Sequence, residues 1–195
     1  AEIWNLLQPF IKNSGLSLPF HAENFVFDSK VNEVNLEDRQ KWQLQSVDVF
    51  RSYMETLAET IELYKPLSEE HFKIETDDST VECLGWESSK LVLQTWKSVL
   101  EEAQQSAKQA VSGANLNNVE SVTNNTLGVD YINGDMFLKL QDQVKEKAKV
   151  KGKFLFMPIR VAVIGKAHGT ELKILSPLIS LTSLIRRVDL VLNRN

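Results

Sequence analysis

Five lysines arrive within nine residues, at positions Lys145, Lys147, Lys149, Lys151 and Lys153. Gly152 sits between the last two, where a residue without a side chain lets the backbone turn or approach a ligand closely. An apolar run follows, Phe154, Leu155, Phe156 and Met157, and then Pro158 and Arg160. Ammonium groups on a turn can neutralise phosphates, and a guanidinium on a rigid element can present a fork of donors to a base edge or a phosphate. The apolar run is expected to pin this turn to the core. Pro158 suits the first position of a helix over 159–164, which places Arg160 in its first turn. Gly165, His168 and Gly169 mark a second turn, and Leu172 opens the next helix. Taken singly, each feature has a plainer reading: lysines gather at helix C-termini, and most surface arginines make ordinary ion pairs. Their order within one stretch is what carries information.

No arrangement of residues points to catalysis. His21, His71 and His168 are far apart in sequence, and Cys83 has no obvious partner. No cluster has the spacing of a metal site or a nucleophilic triad. The catalytic and metal sets are therefore empty.

The charge distribution supports a polar ligand at one end. The net charge is −4, but residues 1–140 hold 11 Lys/Arg against 22 Asp/Glu, and residues 141–195 hold 11 against 4. The cationic end can face phosphates. A length of 195 residues fits one domain or two small subdomains. The single cysteine excludes an intrachain disulfide and fits a reducing compartment best, with a secreted protein lacking disulfides still open. The longest uncharged run, 174–185, contains Pro177 and is too short to span a bilayer. The amphipathic pattern starts at once, at Ile3 and Trp4, which reads as an excised piece of a longer chain.

The elements that must position the basic stretch are helical. Ile3, Leu6, Leu7, Phe10 and Ile11 follow a buried-stripe pattern that stops at Ser14-Gly15. A loop is expected through Pro19, His21 and Phe27. Asn35 caps the next helix, with Asp38 in its first turn. Trp42, Val47, Phe50, Met54, Leu57 and Ile61 carry that pattern to Pro66, as one long helix or two short ones. Segment 67–85 reads as an acidic loop with room for a short strand pair. A helix over 88–111 is expected to bury Leu91, Val92, Thr95, Trp96, Val99 and Leu100. The Asn- and Gly-rich stretch 113–134 is the expected joint between a subdomain at 1–112 and another at 135–195. Helices over 135–148, 170–179 and 181–193 complete an all-α chain of two helical subdomains.

The series Lys151-Gly152-Lys153, Leu155-Phe156-Met157-Pro158-Ile159-Arg160-Val161-Ala162-Val163, Gly165 and His168-Gly169 closely resembles the C-terminal signature of bacterial glutamyl-tRNA synthetases. That family's pattern reads KGKALFMPLRVALTG followed by an HGPEL-like stretch. Residues 3–16 and the Thr56-Leu57-Ala58-Glu59 segment are similar to earlier helices of the same region. The resemblance implies an α-helical cage of a class I synthetase that grips the anticodon arm of glutamate tRNA. It implies that Arg160 contacts an anticodon base, with Leu172 and Gly169 close by. Lys149, Lys151, Lys153 and Lys166 are then the expected phosphate contacts. Arg51 is the nearest match to a position that helps tell glutamate from glutamine tRNAs. Thr170 stands where the pattern has Pro, and Ile164 where it has Thr before Gly, so the local loop shape departs from the family's.

The resemblance also implies a parent enzyme that ligates glutamate to tRNA with ATP and Mg, using a catalytic module marked by His-Ile-Gly-His and Lys-Met-Ser-Lys-Ser motifs. Neither motif occurs here, so this piece is expected to bind tRNA, hold no cofactor and catalyse nothing. A monomeric, cytoplasmic parent with no DNA or membrane partner is implied. Two other readings compete: a stand-alone tRNA-binding paralogue, and a helical protein-interaction module with an acidic face. A tRNA binder loses affinity steeply with salt, whereas a protein partner shows no selectivity among anticodons.

Overall fold

The computed structural model describes residues 2–19, 36–113 and 130–194, and every regular element among them is a helix. The expected loop at His21 and Phe27, the Asn35 cap and most of the 113–134 stretch lie outside the described residues. The chain divides into two compact units, Ala1–Phe72 and Lys73–Asn195.

In the first unit α1 (Glu2–Ser14) packs on α2 (Leu36–Phe50) and α3 (Thr60–Tyr64). Trp4, Leu7 and Ile11 are buried at i, i+3 and i+7, one face of a helix. Ile3 and Leu6 were expected on that stripe but are 42% and 57% exposed, because the large Trp4 ring sets which face turns inward. Trp4 meets the Trp42 ring edge-on at 6.3 Å and lies 6.0 Å from Tyr64, which in turn lies 4.7 Å from Phe50. Such tilted and edge-on pairs suit the ring quadrupoles. After α2 the chain turns at 51–53 and restarts in a short 3-10 helix, Leu57–Glu59. The restart has a local cause: Glu59 Oε2 reaches back to accept from the Glu55 N–H at 2.8 Å. Two helical pieces, not one long helix, fill 36–64.

Tyr64 is fully buried and its hydroxyl lies 3.0 Å from Ser46 Oγ. Ser46 donates its one proton to the Gln43 carbonyl, so Tyr64 is the donor in this pair. Burial pushes the tyrosine up to about 12, only partly countered by Ser46, against ~10 in an unfolded chain. The fold thus favours the neutral phenol. The stability this represents is complete below pH ~10 and is lost as pH rises from there towards the folded value. Melting temperatures of the parent are expected to fall faster than those of Tyr64→Phe between pH 9 and 11, followed by circular dichroism. Parallel curves would contradict the assignment.

The second unit is built round α5 (Glu87–Gly113), which buries Val92, Leu93, Trp96, Val99, Leu100 and Ala107. Leu91, expected on that face, is 50% exposed, one helical step away from Val92. Against α5 lie α4 (Asp78–Gly85), α6 (Gly134–Ala148), α7 (Lys153–Ile164) and α9 (Leu181–Leu192). The short α8 (Leu172–Leu175) runs into a 3-10 turn, Ser176–Leu178. Trp96 packs edge-on to Phe137 at 5.5 Å and joins α5 to α6.

This packing moves the subdomain boundary. Helix α5 was expected in the first subdomain, ending at 112, but its buried stripe is covered by α6, α7 and α9 from the C-terminal part. The division falls at 72/73 instead. The acidic segment 67–85 also differs from expectation: it holds no strand among the described residues, and Asp77 starts α4 by accepting from the Thr80 N–H at 3.0 Å.

Candidate functional site

The basic stretch folds into a corner between α6 and α7. Lys149 ends α6 in the left-handed conformation, φ 54°, which costs a residue with a side chain roughly 1–2 kcal/mol. Gly152 then caps α7 with φ 63° and ψ −145°, a region open in practice to glycine alone. Its carbonyl accepts from the N–H groups of Leu155 and Phe156 at 3.0 and 3.1 Å.

Helix α7 therefore starts at Lys153, five residues earlier than the proline suggested. Pro158 lies inside it and is buried, rather than at its first position. Missing its N–H, it removes one intrahelical bond, a local cost the packed core around it must offset. Arg160 consequently sits in the third turn, not the first. At 100° per residue, Lys153 and Arg160 are seven apart and share nearly one face, about 10 Å from each other along the axis.

The apolar run does not all turn inward. Leu155 is buried, but Phe154 and Phe156 are 43% and 47% exposed, and Met157 is half-buried. Four consecutive residues on a helix span nearly its whole circumference, so they cannot share one buried face. Phe154 packs edge-on to Trp86 at 4.8 Å, and Lys153 Nζ lies 5.3 Å from both ring centres. That cation–π contact holds one lysine in place.

Lys149, Lys151 and Lys153 are exposed, and among the described residues none has a carboxylate within ion-pair distance. Neighbouring lysines behave differently. Lys147 is tied to Glu102 at 2.8 Å, Lys173 to Asp135 at 3.0 Å and Lys97 to Asp189 at 2.7 Å. Lys149, Lys151 and Lys153 thus place exposed ammonium groups without a carboxylate partner at the start of α7, whose first turn has no acidic residue.

The other end of α7 closes on Gly165, φ 82°, whose N–H donates to the Val161 carbonyl at 2.8 Å. The Gly165 carbonyl accepts from the Glu75 N–H at 2.8 Å, and the Ala167 N–H donates to the buried Thr80 Oγ1 at 3.1 Å. These bonds fix the loop 165–171 against segment 73–80. Arg160 then ties down its far side. Nη1 donates to the carbonyls of Gly169 at 3.1 Å and Thr170 at 2.7 Å. Its two protons are thereby used, and among the described residues Nε and Nη2 have no hydrogen-bond partner. Partial burial lowers the arginine's pKa, and Glu171 offsets part of that. The guanidinium remains a cation, with one edge anchored and the other edge free.

The remaining expected residues are placed as follows. Gly169 is exposed beside Lys166, whose ammonium lies 3.8 Å from Glu75. Leu172 is 5% exposed, so its side chain supports the loop and is not offered to a ligand. Arg51 lies in the first unit, exposed and 3.4 Å from Asp48, just past the end of α2. The structure thus joins Arg160, Gly169 and Lys166 at one end of α7 and Lys149, Lys151 and Lys153 at the other. Sequence reasoning missed the half-buried Trp86 and the exposure of Phe154 and Phe156. Cys83 is buried and its thiol is pushed up to about 12 by that burial, which leaves no reactive thiolate near neutrality. Among the described residues no group of three or more His, Cys, Asp or Glu could hold a metal, and no helix is long and apolar enough to cross a membrane.

Comparison with known proteins agrees with the residue-level resemblance. The chain is 38% identical over 191 residues to a glutamate–tRNA ligase of Bdellovibrio bacteriovorus, covering 97% of this chain and 30% of that protein. It is 24% identical over 188 residues to the glutamate–tRNA ligase of Exiguobacterium sibiricum, again 30% of that protein. A shorter stretch of 38 residues is 58% identical to glutamate–tRNA ligase 1 of Parvibaculum lavamentivorans. No family model matches. The chain spans under a third of the length of the two relatives it matches end to end. The chain thus matches a C-terminal part of glutamate–tRNA ligases over nearly its whole length, and every regular element among its described residues is a helix.

Proposed function

We propose that this chain binds the anticodon arm of a glutamate tRNA, using the corner 149–153, the exposed face of α7 and the loop 165–171. The observation that carries the reading is the Nε–Nη2 edge of Arg160, without a partner among the described residues and held in place by two carbonyls, with the exposed Lys149, Lys151 and Lys153 at the other end of its helix. Anticodon loops offer unpaired bases whose edges such a fork can reach. Lys149, Lys151 and Lys153 neutralise phosphates, with Lys166 beside Gly169 as a further contact. Arg160 discriminates among bases, Leu172 seats the loop, and Arg51 contributes from the first unit. The net negative charge of residues 1–140 disfavours phosphate contacts along most of that part of the chain.

Within a longer glutamate–tRNA ligase, a cytoplasmic monomer in this reading, the chain positions the tRNA while a separate module attaches glutamate. ATP and magnesium belong to that module. In this reading the chain alone is inactive as a ligase.

The test is binding of a labelled RNA hairpin carrying the glutamate tRNA anticodon loop, followed by fluorescence anisotropy between 50 and 200 mM salt. Affinity is expected to fall steeply with salt. Lys151→Ala and Lys153→Ala should each weaken all hairpins alike and reduce the log–log salt slope by about 0.7–0.9. A salt-independent affinity, or none at all, would sink the reading.

A further inference from the structure

Two phenylalanines stand exposed on α7, and only one has a structural explanation. Phe154 is packed against Trp86 and lies beneath Lys153. Phe156 is 47% exposed, and among the described residues it has no ring against it and no cation over it. Its position is not arbitrary. It lies three residues after Lys153 and four before Arg160, spacings that make all three neighbours on a helix surface. The ring is about 6 Å along the axis from Arg160. Helix α7 holds no acidic residue at all. The surface round Phe156 therefore offers a bare aromatic face between two cations, a combination that suits a base π-face on a phosphate backbone better than an apolar protein surface.

We propose that Phe156 is a stacking platform for an unpaired base next to the one whose edge Arg160 reads. The proposal rests on the tRNA-binding reading above and deepens it. Phe156 would add affinity that does not depend on salt, because stacking releases few counterions. It would tolerate any base, because every base has a π-face. Arg160 supplies the discrimination and Phe156 holds the strand in register for it.

The experiment compares the parent chain with Phe156→Leu, Phe156→Trp and Arg160→Ala, using the anticodon hairpin and a set of hairpins each lacking one loop base. Phe156 is exposed, so all variants should fold, as circular dichroism would verify. Phe156→Leu keeps an apolar side chain but loses the ring, and should weaken the intact hairpin about tenfold with an unchanged salt slope. Phe156→Trp should bind at least as tightly as the parent. At one loop position, removing the base should make the parent and Phe156→Leu bind equally. If Phe156→Leu binds within twofold of the parent while Arg160→Ala does not, the stacking role is wrong and the tRNA-binding reading stands. If the parent itself fails to bind the hairpin, both fall.

Discussion

Arg160→Ala is expected to lower the discrimination between the glutamate anticodon hairpin and hairpins with a changed anticodon base by roughly 5- to 150-fold, the range of one good bidentate pair at about 1–3 kcal/mol. An arginine has five N–H groups and no acceptor. Two of them, on Nη1, are committed to the Gly169 and Thr170 carbonyls. The three on Nε and Nη2 have no partner among the described residues, in a plane that those carbonyls hold still. Two parallel donors match two adjacent acceptors, such as O6 and N7 of guanine or O2 and N3 of cytosine. Adenine and uracil each put a donor beside an acceptor on the corresponding edge and leave one arm unsatisfied.

Arg160→Lys separates the two jobs of this residue. An ammonium can still bridge the loop carbonyls but is a point charge without a fork. It should keep most of the affinity while losing the discrimination. The check is the ratio of dissociation constants for matched and altered hairpins. Equal ratios in the parent and Arg160→Ala would remove Arg160 from base reading.

The second large effect is on stability. Gly165→Ala is expected to destabilise the second unit by about 3 kcal/mol or more, since strain at a left-handed position adds to a steric clash. At φ 82° a side chain is already disfavoured. A Cβ built there would also collide with the Lys73 carbonyl, lying 3.0 Å from its carbon and closer still to its oxygen. The obstacle is backbone, held by the adjacent bond from the Glu75 N–H to the Gly165 carbonyl, so it cannot swing aside as a side chain would. Alanine also narrows the unfolded ensemble, which works the other way but is worth less than ~1 kcal/mol. A unit of this size should lose ~10 °C or more in melting temperature. A melting temperature within about 2 °C of the parent would show that the segments at Lys73 and Gly165 do not meet as described.

Much of this was legible in the residues. Helices α5, α6 and α9 follow their apolar periodicity, and their ends carry readable caps, such as Asn133 accepting from the Met136 N–H at 2.8 Å. The basic corner and its Gly-hinged turn were readable too, because Gly152 is the one residue there that suits the required backbone angles. Three things were not.

Pro158 reads as a helix start because proline favours first positions, yet the Gly152 cap upstream already supplies the start. A buried proline can then ride inside the helix. The Asn- and Gly-rich stretch reads as a joint because composition reports local chain properties. Which helices share a core depends on the partners of α5, which no local signal names. Finally, Phe156 reads as core when hydrophobicity is considered without the 100° step of the helix, yet it is exposed. That step alone forces part of a four-residue apolar run to the surface. The start of α4 had a readable signal in Asp77, three residues before the Thr80 N–H it accepts from.

Hydrogen–deuterium exchange of the chain with and without the glutamate anticodon hairpin tests the central claim most directly. Slowed exchange on binding is expected to concentrate in residues 149–172, with the exposed surface of α5 unchanged. Protection confined to α5 or to residues 2–72, or no change anywhere at saturating RNA, would contradict it.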